Sequence, residues 1–256
     1  MKWKKIGRIL IIDKNLEDAY IGKLDNLLKE HNVDTIAKIT GINGKMRKPS
    51  VQVLAGSKSA ETIHKENGCL FKLDISKVMW SKGNTTERMR IANLVQDGEV
   101  IVDMFAGIGY FSIPIALHSN PKKVYSIEIN PESYFYLNEN IYLNKINHKS
   151  NKNLGYDVIK PILGDSALIT PNISADRILM GYVKTTHNFL APAVNSINSG
   201  GIIHYHETVP EKLMDKRPIK RIKKAAEDRE VEILGNRIIK KYSPGVVHCV
   251  IDARIF

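Results

Sequence analysis

Nine residues, Asp103-Met104-Phe105-Ala106-Gly107-Ile108-Gly109-Tyr110-Phe111, carry the densest chemical pattern in this chain of 256 residues. An acid closes the apolar run 99–103, and the chain then turns through Ala106-Gly107-Ile108-Gly109 into an amphipathic segment near Phe111. A strand–glycine turn–helix unit lets a nucleotide approach bare backbone. Its dinucleotide form, G-x-G-x-x-G, needs a third glycine for close helix–strand packing. Here Gly107 and Gly109 are followed by Tyr110, Phe111 and Ser112, and the acid ahead of the turn is foreign to that pattern. Glu128 closes the next apolar run, 25 residues after Asp103, and Asp165 in Leu163-Gly164-Asp165-Ser166 closes the third. An acid at the second strand end accepts from ribose hydroxyls, and Asp165 is placed to accept from an adenine amino group. Three carboxylates at successive strand ends repel a pyrophosphate and attract a cation. The cofactor that fits is S-adenosylmethionine, a sulfonium without phosphate, rather than NAD. Phe105 would lie against the nucleoside, or else simply pack in the core. An ordinary α/β connection that happens to use two glycines explains the turn but not the acids.

Charge gives a second signal. Formal net charge is +11 and the pI is near 9.5, which favours a polyanionic partner. Part of the excess reflects a composition rich in Lys, Ile and Asn. The rest is clustered: residues 211–241 hold eleven Lys and Arg against six Asp and Glu. The dense part is Lys216-Arg217-Pro218-Ile219-Lys220-Arg221-Ile222-Lys223-Lys224, with smaller groups at Lys2, Lys4, Lys5 and Arg8 and at Lys45, Arg47 and Lys48. Such a run is either a solvated helix face or a surface for nucleic acid.

Certain elements must position these residues. Residues 1–95 are expected to form a small α+β domain. Its strands are read at 6–12, 35–40, 50–55 and 70–74, and its helix at 16–31 with apolar Tyr20, Leu24, Leu27 and Leu28. A helix at 85–95, capped by Thr85 or Thr86, leads into a second domain, 96–256. There strands at 99–103, 123–128, 158–163, 176–183 and 202–206 alternate with helices at 131–144, 185–196 and 210–228. That alternation predicts a parallel sheet covered on both faces, hence an α/β, Rossmann-like domain. Two closing strands, 231–242 and 246–255, without a helix between them predict a reversed terminal strand. The stretch 144–153 reads as a solvated loop. Two cysteines, Cys69 and Cys249, are too few for a disulfide framework and lack metal-ligand spacing. No metal is expected. The short apolar run after the basic N-terminus ends at Asp13, unlike a signal peptide, and no run approaches a membrane span. A reduced, cytoplasmic, monomeric protein is expected.

The acid–x–x–Ala/Gly turn resembles the first motif of Rossmann-like methyltransferases. The likeness becomes specific along the chain. His64-Lys65-Glu66-Asn67-Gly68-Cys69, Phe71-Lys72-Leu73-Asp74, Ser81, Glu87-Arg88, Val102 to Ala116 and Tyr242-Ser243-Pro244-Gly245-Val246 resemble the tRNA guanosine N1-methyltransferases of archaea and eukaryotes. In that family strand four ends in Asn-Pro-Pro or Asn-Leu-Pro, whose Asn faces the target base. This chain reads Met180-Gly181-Tyr182-Val183 there, so Asn and Pro are both absent. The departure resembles the paralogous wybutosine-synthesis aminocarboxypropyltransferases, which turn the methionine arm rather than the methyl of S-adenosylmethionine toward the base. The resemblance implies transfer of the 3-amino-3-carboxypropyl group to a ring carbon of 4-demethylwyosine, 3′ of the anticodon of tRNA(Phe), with release of methylthioadenosine. A ring-carbon nucleophile has little need of the Asn that positions N1 of guanine.

Roles follow as expectations. Ser81 and Arg88 hold the methionine carboxylate, since Arg pairs with carboxylates bidentately; Arg88 could instead pair with Glu87 or Asp103. Asp103, Phe105, Ala106, Gly107, Glu128, Asp165 and Ser166 hold the nucleoside. Tyr182 stacks on a splayed base. Lys220, Arg221, Lys223 and Lys224 contact phosphates of the anticodon arm. No residue type demands a general-base role, and His64, His187, His204 and His206 read as structural. The alternatives are a guanosine N1-methyltransferase with an unusual fourth motif, and an RNA-binding module with a vestigial cofactor fold.

Overall fold

A computed structural model describes residues 3–12, 22–44, 48–80, 82–146, 157–183 and 185–256. The expected roles of Lys2, Lys45, Arg47 and Ser81, the start of the 16–31 helix and most of the 144–153 loop lie outside the described residues. The chain divides into two compact units, Met1–Ser81 and Lys82–Phe256, so the helix at 85–95 groups with the second unit and not with the first as expected.

In the first unit the run read as one strand at 6–12 is a hairpin, β1 (Trp3–Ile6) and β2 (Ile9–Ile12), turned at Gly7 with φ +53°. Helix α1 (Leu24–Glu30) leads to β3 (Thr35–Asn43) and β4 (Lys48–Gly56), which complete a sheet of order β1-β2-β3-β4. Leu10, Ile12, Leu27, Val33 and Ile36 form its core. A further hairpin, β5 (Glu61–Glu66) and β6 (Cys69–Asp74), turns on Asn67-Gly68, both at positive φ as a two-residue hairpin loop requires. The His64 ring accepts a hydrogen bond from the Gly7 amide at 3.1 Å and meets Trp80 edge-on, which gives His64 a structural role.

The second unit begins with α2 (Thr85–Leu94), preceded by Asn84 rather than a capping threonine. It continues through β7 (Val100–Asp103), α3 (Ser112–His118), β8 (Lys123–Glu128), α4 (Pro131–Leu143), β9 (Ile159–Leu163), α5 (Ser166–Ile169) and β10 (Ala175–Met180). Then come a short 3-10 turn at Thr186–Phe189, α6 (Leu190–Ser196), β11 (Ile197–Pro210), α7 (Arg217–Ala226), β12 (Val231–Ser243) and β13 (Val246–Ile255). The sheet order is β12-β13-β11-β10-β7-β8-β9. Strands β7 to β11 are parallel, and β13 runs antiparallel between β11 and β12, the reversed strand expected from the sequence. Pro131 opens α4, with the Asn130 side chain capping it from outside. β11 starts much earlier than expected. Gly200, at φ +82°, and Gly201 make an irregularity inside the strand, and a β-carbon on Gly201 would lie 2.9 Å from the Asp176 carbonyl oxygen.

The core lies between the sheet and its helices: Ile178, Met180, Ile203, Tyr205, Ile251 and Ala253 meet Leu190, Ala193, Val194, Ile222 and Ala226. Helix α7 shows its logic plainly. Pro218, Ile222 and Ala226, four residues apart, are buried, while Lys216, Lys220, Lys223 and Lys224 are exposed. The helix is also pinned by Glu207 of β11, which is 1% exposed. Glu207 accepts from Tyr205 Oη at 2.8 Å, Arg217 Nε at 2.7 Å and Arg221 Nη1 at 2.6 Å. Replacing Glu207 by Ala strands one hydroxyl and two guanidinium groups. The expected cost is about 2 kcal/mol, below that of a fully buried pair because both Arg side chains are about one-third exposed. Urea denaturation with an unchanged m-value checks it.

Candidate functional site

The C-terminal ends of β7, β8 and β9 bring the three expected acids to one edge of the sheet. Asp103 is fully buried; its carboxylate accepts from Ser112 Oγ at 2.8 Å and the Phe105 amide at 3.4 Å, and Ser126 Oγ donates to Ser112 Oγ at 2.7 Å. Glu128 clamps the glycine turn, accepting from the Gly107 amide and the Asn130 amide, each at 2.7 Å. Asp165 caps α5 through a 2.9 Å bond from the Ala167 amide, and Ser166 beside it is buried. The Ala106 amide is tied to the Ile127 carbonyl, and Asn140 Nδ2 holds the Ile108 carbonyl at 3.0 Å. Both ends of the turn are therefore fixed to the neighbouring strand and helix.

Gly107 sits at φ +58°, and a β-carbon there would come within 2.5 Å of the Tyr110 ring. Tyr110 thus lies across the turn. The buried Arg88 of α2 places its guanidinium 5.1 Å from the centre of that ring, a cation–π contact that brings it to the turn. Its neighbour Glu87 is held by Arg90, not by Arg88. The other expected residues gather at the ends of β7 and β10. Phe105 lies 5.3 Å from Tyr182 and meets Phe189 edge-on at 4.9 Å, and Thr186 Oγ1 donates to the Tyr182 carbonyl at 2.5 Å. At Gly181 a β-carbon would stand 2.8 Å from the Phe111 ring. A side chain at position 181, just after β10, would require Phe111 to move.

Burial sets the electrostatics. It pushes the Asp103 carboxyl up to about 7, against the Ser112 hydroxyl and the Phe105 amide, with Glu128 adding repulsion. Burial also raises Glu128, opposed by the Asn130 and Gly107 amides. Two adjacent carboxyls that resist ionisation are stabilised by a cationic ligand. The donor set therefore fits a sulfonium nucleoside, whose ribose hydroxyls would face Glu128.

One expectation is revised and one feature was not foreseen. Arg221 does not stand free as a phosphate contact, because it is committed to Glu207, whereas Lys220, Lys223 and Lys224 are exposed. His204 and His206 are buried parts of a polar cluster that the sequence reading missed. It runs Glu87–Arg90–Asp252–His204–Arg177–Glu99, with His206 Nδ1 3.0 Å from His248 Nε2 beside it. The available signal was charged or imidazole residues inside apolar strands: Arg177, His204, His206 and Asp252. Among the described residues, no group of His, Cys, Asp or Glu could hold a metal, and no helix is long and apolar enough to cross a membrane.

A parallel sheet with one reversed strand, a carboxylate-led glycine turn and acids on the next two strand ends define a Rossmann-like transferase of the S-adenosylmethionine-dependent class. A model of the TRM5/TYW2 methyltransferase domain matches residues 62–234, and the chain belongs to that family. The tRNA(Phe) (4-demethylwyosine(37)-C(7)) aminocarboxypropyltransferase of Methanocaldococcus jannaschii is 46% identical over 99% of this chain and 98% of its own. The tRNA (guanine(37)-N(1))-methyltransferase Trm5b of Pyrococcus abyssi is 38% identical over 98% of this chain and 68% of its own. A crystal structure of M. jannaschii TYW2 in complex with AdoMet has a TM-score of 0.77 at 43% identity, covering 99% of both chains.

A pH dependence follows from Asp103. Its raised pKa keeps it protonated below about 7, while a cation at the turn favours the ionised form. S-adenosylmethionine affinity should fall as pH drops below 7, by up to about tenfold per unit, and Asp103→Asn should flatten that profile in calorimetric titrations. For the ligand-free protein the sign reverses. The folded state keeps a proton that the unfolded chain releases, so this group costs stability as pH rises from about 4 to about 7.

Proposed function

We propose that this protein transfers the 3-amino-3-carboxypropyl group of S-adenosylmethionine to C7 of 4-demethylwyosine at position 37 of tRNA(Phe), releasing methylthioadenosine. The observation that carries the reading is the end of β10, where Gly181 faces the Phe111 ring and no Asn side chain is present to position a guanine N1. When bound, the cofactor supplies three electrophilic carbons on one sulfonium, and in-line displacement makes orientation decide which one reacts.

The chain's residues act chiefly by orienting. Asp103, Glu128, Asp165 and Ser166 hold the nucleoside at the three strand ends, with Ala106 and Gly107 giving backbone approach and Phe105 an aromatic wall. Arg88, carried on Tyr110, and Ser81 take the methionine carboxylate and so fix the arm. Tyr182, held through its carbonyl by Thr186, stacks on the splayed base and brings the ring carbon into line. The ring carbon would gain a bond as the carbon–sulfur bond breaks, sulfur would keep the electron pair, and the ring would then give the proton of that carbon to solvent water to restore conjugation.

The small N-terminal unit and helix α7 hold the anticodon arm by phosphate contacts, and the protein acts as a cytoplasmic monomer. Methyl transfer to guanine N1 is the second reading, supported by the 38% identity to Trm5b.

Two experiments test this. With the cofactor labelled separately in the methyl and in the methionine carboxyl, tRNA should gain only the carboxyl label. Retention of the methyl label would establish methyl transfer instead. Replacing Lys220, Lys223 and Lys224 by Gln should lower the slope of log affinity for tRNA against log salt by about 2, at roughly 0.7–0.9 per phosphate contact. An unchanged slope removes α7 from the RNA surface.

A further inference from the structure

Helix α2 carries Glu87, Arg88 and Arg90 toward the body of the second unit, and only Ile91 and Ala92 among its apolar residues are fully buried. So small an apolar face leaves the rotation and axial position of the helix weakly defined. Directional bonds define them instead. Arg90 Nε and Nη2 donate to both oxygens of Glu87, at 2.7 and 2.6 Å, while Nη1 and Nη2 donate to both oxygens of Asp252, at 2.7 and 3.0 Å. Asp252 belongs to β13, where the reversed register sets it opposite His204 of β11. His204 Nδ1 lies 2.6 Å from Asp252 and its Nε2 lies 2.7 Å from Arg177 Nη1. The guanidinium can only donate, so Nε2 accepts and the proton sits on Nδ1, pointing at Asp252. Arg177 in turn forks onto Glu99 at 2.7 Å through both Nε and Nη2, and donates to the Leu94 carbonyl at the far end of α2 at 3.0 Å. Helix α2 is therefore gripped at two places by one chain of charge-assisted bonds anchored in three strands.

Buried ion pairs add little net stability over aliphatic packing, but they accept one geometry only. Arg90 is two residues from Arg88, and Asp252 is the fixed point that Arg90 meets. We propose that Asp252 and Arg90 are positioning residues: their paired fork sets the register of α2 so that Arg88, stacked on Tyr110 at the glycine turn, meets the methionine carboxylate of the cofactor. This rests on the assignment of Arg88 to that carboxylate.

The test uses two ligands that share the nucleoside and differ in the arm. Calorimetric affinities for S-adenosylmethionine and for methylthioadenosine, which lacks the aminocarboxypropyl group, are compared among the wild type, Arg88→Ala and Asp252→Asn. Both variants should lose about tenfold or more for S-adenosylmethionine, while methylthioadenosine stays within about twofold. If Asp252→Asn binds S-adenosylmethionine as the wild type does, or weakens both ligands equally, and Arg88→Ala is selective, the positioning role is overturned and the Arg88 assignment stands. If Arg88→Ala shows no selective loss, the Arg88 assignment itself falls, whatever Asp252→Asn does. Should Asp252→Asn fail to fold, Arg90→Gln cuts the same fork from the helix side and is read by the same criteria.

Discussion

The buried carboxylate of Asp103 is the constraint around which the second unit is built. It closes β7 without exposure to water, so every group near it must donate to it or tolerate it. Ser112, itself held by Ser126, and the Phe105 amide supply that satisfaction, and their positions dictate how sharply the chain must turn after the strand. Gly107 accepts the left-handed conformation that results, and Glu128 on the neighbouring strand holds its amide. The arrangement leaves a buried carboxyl, Asp103, and a partly buried one, Glu128, both raised by desolvation at the mouth of the sheet, a poor place for phosphate and a good one for a sulfonium nucleoside.

The reversed strand β13 serves a second purpose. It delivers Asp252 into a sheet face that also carries Arg177, His204, His206 and His248. Burial pushes Asp252 up, yet the bonds from His204 and Arg90 overcome it and hold the carboxyl well below its usual range. Burial likewise lowers His204, consistent with a neutral ring that donates through Nδ1. Aliphatic residues at these positions would pack as stably, but they would not set the register of α2. Fold and site are thus coupled through polar contacts that only one arrangement satisfies.

Much of this was legible in the residues. The strand at 123–128, the helix opened by Pro131 and the reversed final strand match the sequence reading, because apolar period and start signals there agree. The acids at three strand ends were likewise readable, since each follows an apolar run. Other features were obscured by ambiguous local chemistry. The strand expected at 202–206 begins at Ile197, because Gly200-Gly201 make an irregularity within β11 and do not precede it; the Asn67-Gly68 hairpin was passed over although its residues signal one. The basic segment 216–224 gives no hint of which cation faces inward. Only the partner, Glu207 in a distant strand, distinguishes Arg221 from Lys220. The Arg90–Asp252 fork joins residues 162 apart in sequence, and no local pattern reports such a contact.

The chemistry finally depends on orientation. The glycine turn and its carboxylates name the reagent; in the proposed function, Gly181 after β10 and Arg88 on Tyr110 decide which carbon of it faces the base. A crystal structure of the protein with S-adenosylmethionine and the anticodon arm bound measures this directly. The γ-carbon of the methionine arm, with its carboxylate on Arg88, should point to the base stacked on Tyr182, and the methyl should point away. A methyl group aimed at the base from that same pocket would contradict it.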